Sequence, residues 1–435
     1  MKWYHKISSD AVSAYQYFQV VRYLMSVLVS VIMVKSSLPA LDLGYYELII
    51  FGVVTFSGFW SSGIKNALFN FYASKDGEDK EQIFKYAFWC LTFLSVLVIV
   101  AIIVFPQLLY LISSSAISPF LPFLVAFLFF SVPISLVESV FYLKDEKEKL
   151  IQYTHWSQGG LLLLNILVAL FSPTLHAFVL VLIFWSFIRW LYLLHVLEYN
   201  TLFSAFKGSI SFLLLTLPLI LNMILSQAMD FIDSWLVTQN FSTEFFPVFR
   251  YGAREMPFSA LLFSSLSVAM IPLIMKDQQA GLETLRQKAT QHLHFLAPLS
   301  LILMVLSPVL FPVIYDHQYK DSAFIFNVYL LILTSRVLLP QSYTLAHHKH
   351  GIIIASSILE IIANIALSLW WLRDFGVYGL AMATVVAYFI QKMILMTYNY
   401  RIYGIKMGQY IDIKYYLMYN SALVICFWLT FKYMR

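Results

Sequence analysis

An all-α, polytopic membrane fold is what this sequence predicts, and three observations carry that expectation. Hydrophobic residues make up 60% of the 435 and charged residues only 12%, against roughly a quarter charged in soluble domains. Mean hydropathy is +0.77. Apolar runs of the roughly 20 residues that a bilayer-crossing helix needs recur along the whole chain. A soluble fold requires a polar shell that this composition lacks, so soluble enzymes, nucleic-acid binders and disordered scaffolds are excluded.

In chain order the apolar runs lie near 17–34, 45–63, 84–105, 119–142, 151–171, 176–196, 209–239, 245–275, 293–314, 322–346, 351–371, 376–400 and 413–431, which predicts 13 transmembrane helices. Ahead of the first, residues 1–16 fit either a short amphipathic interfacial helix or a disordered tail. Basic residues orient the bundle. With a cytoplasmic N-terminus, 18 of the 28 Lys and Arg fall to inside segments and the span ends that border them, and five to outside ones. Basic residues resist translocation, so the N-terminus is expected inside. Six spans precede the polar stretch at 197–208, six follow, and one remains. The expected organisation is an N-terminal six-helix lobe (1–205), a C-terminal six-helix lobe (206–402) and an extra C-terminal transmembrane segment (403–435). No loop is long enough to fold as a domain, which places the function inside the membrane.

Motifs of soluble chemistry are missing. No phosphate-binding G-x-x-x-x-G-K-[ST] occurs, nor G-x-G-x-x-G, H-E-x-x-H, C-x-x-C or G-x-S-x-G. Direct use of ATP, a cofactor, a metal or nucleic acid is therefore unsupported. Cys90 and Cys426 form neither a ligand spacing nor a disulfide framework. The tract His347-His348-Lys349-His350 reads better as a basic turn on the inside face than as a metal site.

Ionisable residues within the spans are the candidates for function: Arg22, Glu138, Asp230, Asp233, Arg250, Arg254, Glu255, Arg336, Glu360 and Lys392. Such groups are costly in hydrocarbon, so they face the bundle interior and usually pair. Asp230 and Asp233 lie on one helical face at i, i+3, and Arg250 and Arg254 on one face at i, i+4. Counting from the turn at 240–244 places all four at similar depth in the outer half. Arg336 and Glu360 match across the inside turn at 347–350. Two polar layers are expected, serving either as structural bridges or as the walls of a cavity for an anionic or proton-coupled substrate. Of the 28 Tyr, most suit interfacial belts, while a minority can stack on sugar rings.

At the second half, residue motifs add a family likeness. Pro218-Leu219-Ile220-Leu221 with Met229-Asp230-Phe231-Ile232-Asp233-Ser234-Trp235-Leu236-Val237 resembles the seventh helix of O-antigen-type polysaccharide flippases, in the multidrug/oligosaccharidyl-lipid/polysaccharide exporter superfamily. Phe249-Arg250-Tyr251-Gly252-Ala253-Arg254-Glu255-Met256-Pro257 is similar to the eighth, and Gly376-Val377-Tyr378-Gly379-Leu380-Ala381-Met382-Ala383-Thr384 to the start of the twelfth. Val248-Phe249-Arg250 departs from the usual Gly-x-Tyr ahead of the eighth-helix alanine. The resemblance implies a secondary transporter and not an enzyme. It would move an isoprenoid-pyrophosphate-linked oligosaccharide from the cytoplasmic to the outer leaflet of a bacterial inner membrane for polysaccharide biosynthesis. Arg22, Arg250, Arg254 and Arg336 would hold the pyrophosphate. Asp230, Asp233 and Glu360 would orient those arginines or carry coupling H+ or Na+. Polysaccharide polymerases or glycosyltransferases would be partners. Two rivals stand beside this reading: an organic-cation antiporter of the same superfamily, expected to have an acid-dominated cavity, and a membrane glycan polymerase or ligase, expected to have a large outside loop.

Overall fold

The computed structural model describes residues 10–73, 78–113, 118–202, 206–254 and 257–434. The elements are α1 (Ala11–Lys35), α2 (Ala40–Ala73), α3 (Glu78–Val104), α4 (Leu121–Ser131), α5 (Val137–Leu143), α6 (Lys147–Phe171), α7 (Leu175–Val196), α8 (Tyr199–Leu202), α9 (Phe206–Asn240), α10 (Phe245–Gly252), α11 (Pro257–Lys276), α12 (Gln278–Ile314), α13 (Lys320–Leu330), α14 (Leu333–Arg336), α15 (Pro340–Ala346), α16 (His350–Phe375), α17 (Val377–Tyr403) and α18 (Ile413–Met434). Among the described residues there are no strands. Ten helices among the described residues are long and apolar enough to cross a membrane, eleven where the bent pair near 317–346 is counted as one span. The fold is therefore an all-α, multi-pass membrane bundle. Leu359, Ile362, Leu369 and Trp370 on α16 are exposed, as expected where lipid replaces water around a helix.

The elements differ in places from the apolar runs, each time for a backbone reason. α1 starts at Ala11, where the Asp10 carboxylate accepts from Ser13 N at 2.7 Å and caps the first turn. Residues 11–16 thus belong to the first span, while 1–9 lie outside the described residues. The run 119–142 is broken by a 3-10 turn at Pro133–Leu136, because a proline removes an amide donor and clashes with the preceding turn. The expected single span 245–275 is two helices. Pro257 disfavours helical backbone in the residue before it, and α10 ends at Gly252. The run 322–346 likewise divides into α13, α14 and α15, bent by 43° ahead of Pro340. α12 begins at Gln278, capped by Asp277, so much of the polar stretch expected as a loop is helix.

The chain forms two compact units. One comprises residues 1–227 with 238–247, the other 228–237 with 248–435. In the first, α1 packs along α6, α2 along α3, and α4 along α7. Tyr153, Trp156, Trp185 and Tyr192 form an aromatic cluster joining α6 and α7. In the second, α11, α12, α17 and α18 surround a core that includes Leu285, Leu293, Val337, Tyr343, Tyr410 and Leu423. α18 is continuous for 22 residues, about 33 Å of helix, and packs along α12.

α16 and α17 form a tight hairpin through Gly376 alone, at φ +59°, a region that strains residues with a Cβ. Three residues on, a Cβ at Gly379 would lie 2.5 Å from the Trp371 carbonyl oxygen. Backbone bounds both sides there, so Gly379→Ala is expected to part the helices at a cost of about 1–3 kcal/mol. A melting temperature several degrees lower in detergent checks this; an unchanged one shows the hairpin can open freely.

Candidate functional site

Asp233 lies on α9 and is 4% exposed. Its carboxylate accepts hydrogen bonds from Thr384 Oγ1 of α17 (2.5 Å), Tyr329 Oη of α13 (3.0 Å) and Asn364 Nδ2 of α16 (3.3 Å). The same amide also donates to Thr384 Oγ1 at 3.0 Å. Neutral donors on three helices thus cradle an acid in an apolar interior, and charged acceptors form the stronger class of hydrogen bond. Two oxygens on α16, Asn364 Oδ1 and Ser368 Oγ one turn on, are buried without a hydrogen-bond partner. Buried polar atoms are nearly always satisfied. A carboxylate with the unmatched amide oxygen of a contacting asparagine suits a proton or a small hard cation, which takes oxygen ligands. Sequence reading found Asp233 but missed Tyr329, Asn364 and Thr384.

A second cluster in the same unit gathers around Glu360, which is 5% exposed on α16. Lys392 of α17 lies within electrostatic reach of both Glu360 and Arg336, and its Nζ donates to Gln341 Oε1 at 3.1 Å. Arg336 of α14 donates to Ser259 Oγ at 3.2 Å and lies over the Tyr388 ring, 5.9 Å from its centroid. Lys392 is thus the residue that reaches each of the two expected to match, Arg336 and Glu360.

The first unit holds a similar group. Arg22 of α1 lies 3.9 Å from Glu138 of α5, whose side chain is 3% exposed against 49% for the arginine. The guanidinium also donates to Gln19 Oε1 at 2.6 Å and covers the Phe18 ring. Lys65 of α2 is within electrostatic reach of Glu138 and Arg22. The sequence reading assigned Lys65 to an inside segment because it ended the second span at residue 63. α2 continues to Ala73 and carries this lysine to the pair. Glu138 Oε2 is buried with no hydrogen-bond partner.

The remaining candidates are placed differently. Arg250 stands in the last turn of α10, whereas Arg254 follows the end of that helix. The expected shared i, i+4 face is therefore corrected, because the helix stops between them. Arg254 donates to Tyr315 Oη at 3.0 Å and lies 4.9 Å from the centroid of Tyr251. Those two rings stack at 4.8 Å. The Asp230 side chain and all of Glu255 lie outside the described residues. His347 stacks on Tyr343 at 4.3 Å and leans on Tyr403, which gives it a packing role.

Long apolar helices in two units, with acids and cations clustered inside them, define a multi-pass membrane protein of the transporter type. The chain belongs to the polysaccharide biosynthesis protein family, whose pattern matches residues 38–324. Among solved structures, the lipid II flippase MurJ in an inward closed conformation superposes with a TM-score of 0.66 at 17% identity, covering 96% of this chain and 92% of that one. A mutant of the Vibrio cholerae MATE transporter VcmN gives 0.56 at 13%, covering 94% and 99%. A MATE protein in a bent conformation gives 0.53 at 12%, covering 97% and 98%. These likenesses are likenesses of fold. No curated protein sequence matches the chain.

Proposed function

We propose that this protein is a flippase that carries an isoprenoid-pyrophosphate-linked oligosaccharide from the cytoplasmic to the outer leaflet of a bacterial inner membrane, for synthesis of a cell-surface polysaccharide such as O-antigen. The observation that carries this reading is the cluster in the first unit where, among the described residues, two cations, Arg22 and Lys65, meet one buried carboxylate, Glu138, and half of the Arg22 side chain stays exposed. A polar centre with surplus positive charge is complete only with an anionic ligand, and low dielectric strengthens the attraction. Arginine adds a planar fork that binds phosphate oxygens in pairs. Arg22 and Arg336, with Arg250 and Arg254 as further donors, hold the pyrophosphate. Glu360 orients Arg336 through the Lys392 cluster. Asp230 and Asp233 serve coupling, with Asp233 taking H+ or Na+ while the lobes 1–205 and 206–402 alternate in access. A fold neighbour is itself a flippase of lipid II. Glycosyltransferases supply the substrate and a polymerase consumes it.

The Asp233 cradle also favours the second reading, antiport of an organic cation. One experiment separates them. Cells depleted of the protein are expected to accumulate lipid-linked glycan in the cytoplasmic leaflet, and reconstituted protein to equilibrate that lipid across liposomes. Normal leaflet distribution together with lost export of an organic cation would assign the chain to antiport.

A further inference from the structure

We propose that the end of the second unit near residues 308–324 is a binding site for a zwitterionic aminophospholipid of the outer leaflet, phosphatidylethanolamine in class. A cavity of about 440 Å³ opens there between the end of α12, the turn after it, and the ends of α13, α17 and α18. Its apolar walls include Pro308, Val309, Pro312, Phe324, Tyr378 and Phe431. Its polar side is His317, Lys320 and Asp321. Among the described residues, none of these three side chains has an ion-pair or hydrogen-bond partner. The distribution of basic residues puts these helix ends outside.

Charge and shape select the ligand. Lys320 and His317 complement a phosphate, and the neighbouring Asp321 carboxylate complements an ammonium group, so the cavity presents both signs to one headgroup. A primary ammonium donates hydrogen bonds to a carboxylate; a trimethylated one has no N–H to give. The volume falls in the usual range of small-molecule pockets, about 300–1,000 Å³, and takes a headgroup with its glycerol but not a whole lipid. The chains have a path. Ile302, Val305, Val309 and Val313 are 56%, 58%, 64% and 66% exposed and follow one face of α12 at helical spacing, an apolar track of about 16 Å leading from the cavity. The site is independent of the flippase reading, since no residue named here belongs to the cation clusters or to the Asp233 cradle.

The test uses full-length protein, stripped of lipid and titrated with short-chain phospholipids, with binding counted by native mass spectrometry. Saturable binding of one phosphatidylethanolamine is expected, with phosphatidylcholine and phosphatidylglycerol each about tenfold weaker, the loss set by one charge-assisted hydrogen bond. Asp321→Asn is expected to erase the preference over phosphatidylcholine, and Lys320→Gln to weaken all three lipids about tenfold. Thermal unfolding of the lipid-free variants, expected unchanged, confirms that they fold. Equal binding of the three lipids, tighter binding of phosphatidylglycerol, or a preference that survives Asp321→Asn in the folded variant would overturn the proposal.

Discussion

Asp233→Asn is expected to leave the protein folded and abundant while lowering transport by about tenfold or more and removing its dependence on an ion gradient, within the roughly 5–150-fold range of typical site-to-site couplings. The isostere fills the same space and keeps one oxygen to accept from Tyr329 and Thr384, whose hydroxyls reach the native carboxylate at 3.0 and 2.5 Å. Its new amide can donate to Asn364 Oδ1, which is buried without a partner. Packing is conserved and the Asn364 amide need only turn over, giving up its donation to Thr384 Oγ1, so the main losses are the negative charge and the capacity to take up a proton or cation. A structural acid would tolerate this change. An abundant Asp233→Asn protein that still responds to an imposed gradient would exclude Asp233 from coupling. Thr384→Val is the companion variant: it keeps the coupling charge but removes a donor to it, so transport should fall while ion dependence persists.

Glu138→Ala is expected to produce the largest loss of stability. Its carboxylate is the shared counter-charge of Arg22 and Lys65, and removing one partner of a buried pair strands the other in low dielectric, on the order of 3 kcal/mol. The cost is carried mainly by Lys65, because half of the Arg22 side chain is exposed. Combining Glu138→Ala with Lys65→Met should restore membrane abundance, since the stranded ammonium is replaced by an apolar chain of similar length. Transport is the separate readout. If the cluster holds pyrophosphate, the abundant double variant still flips lipid poorly, and Arg22→Lys in an otherwise native protein also loses activity because the paired fork is gone. Full flipping by the double variant would reduce the cluster to a structural bridge.

Membrane class, thirteen apolar segments and the cation candidates were legible in the sequence because each depends on composition along the chain. Free energy of transfer into a bilayer is summed over about 20 consecutive residues, so a linear reading captures it. An ionisable residue in such a run stands out for the same reason, and Arg22, Asp233, Arg336 and Glu360 were found that way. Proline breaks were written in the sequence too, at Pro133, Pro257 and Pro340. They escaped because hydropathy averages over side chains and ignores the missing amide.

By itself, then, the sequence determined which segments enter the membrane and which charges go with them. Only the tertiary structure decided what those charges meet. Tyr329, Asn364 and Thr384 are ordinary polar residues in apolar helices, and nothing in their spacing distinguishes them from residues that satisfy themselves on their own helix. They become a cradle because α9, α13, α16 and α17 turn these faces toward one carboxylate. Lys65 joined Glu138 for a similar reason: where a helix ends is set by packing and backbone hydrogen bonding, and α2 runs ten residues past its apolar stretch. Arg250 and Arg254 parted because a helical face exists only while the helix continues. Partition into lipid is a sum over neighbours in sequence, whereas ion pairing and ligand geometry depend on directions fixed by residues up to 151 positions apart.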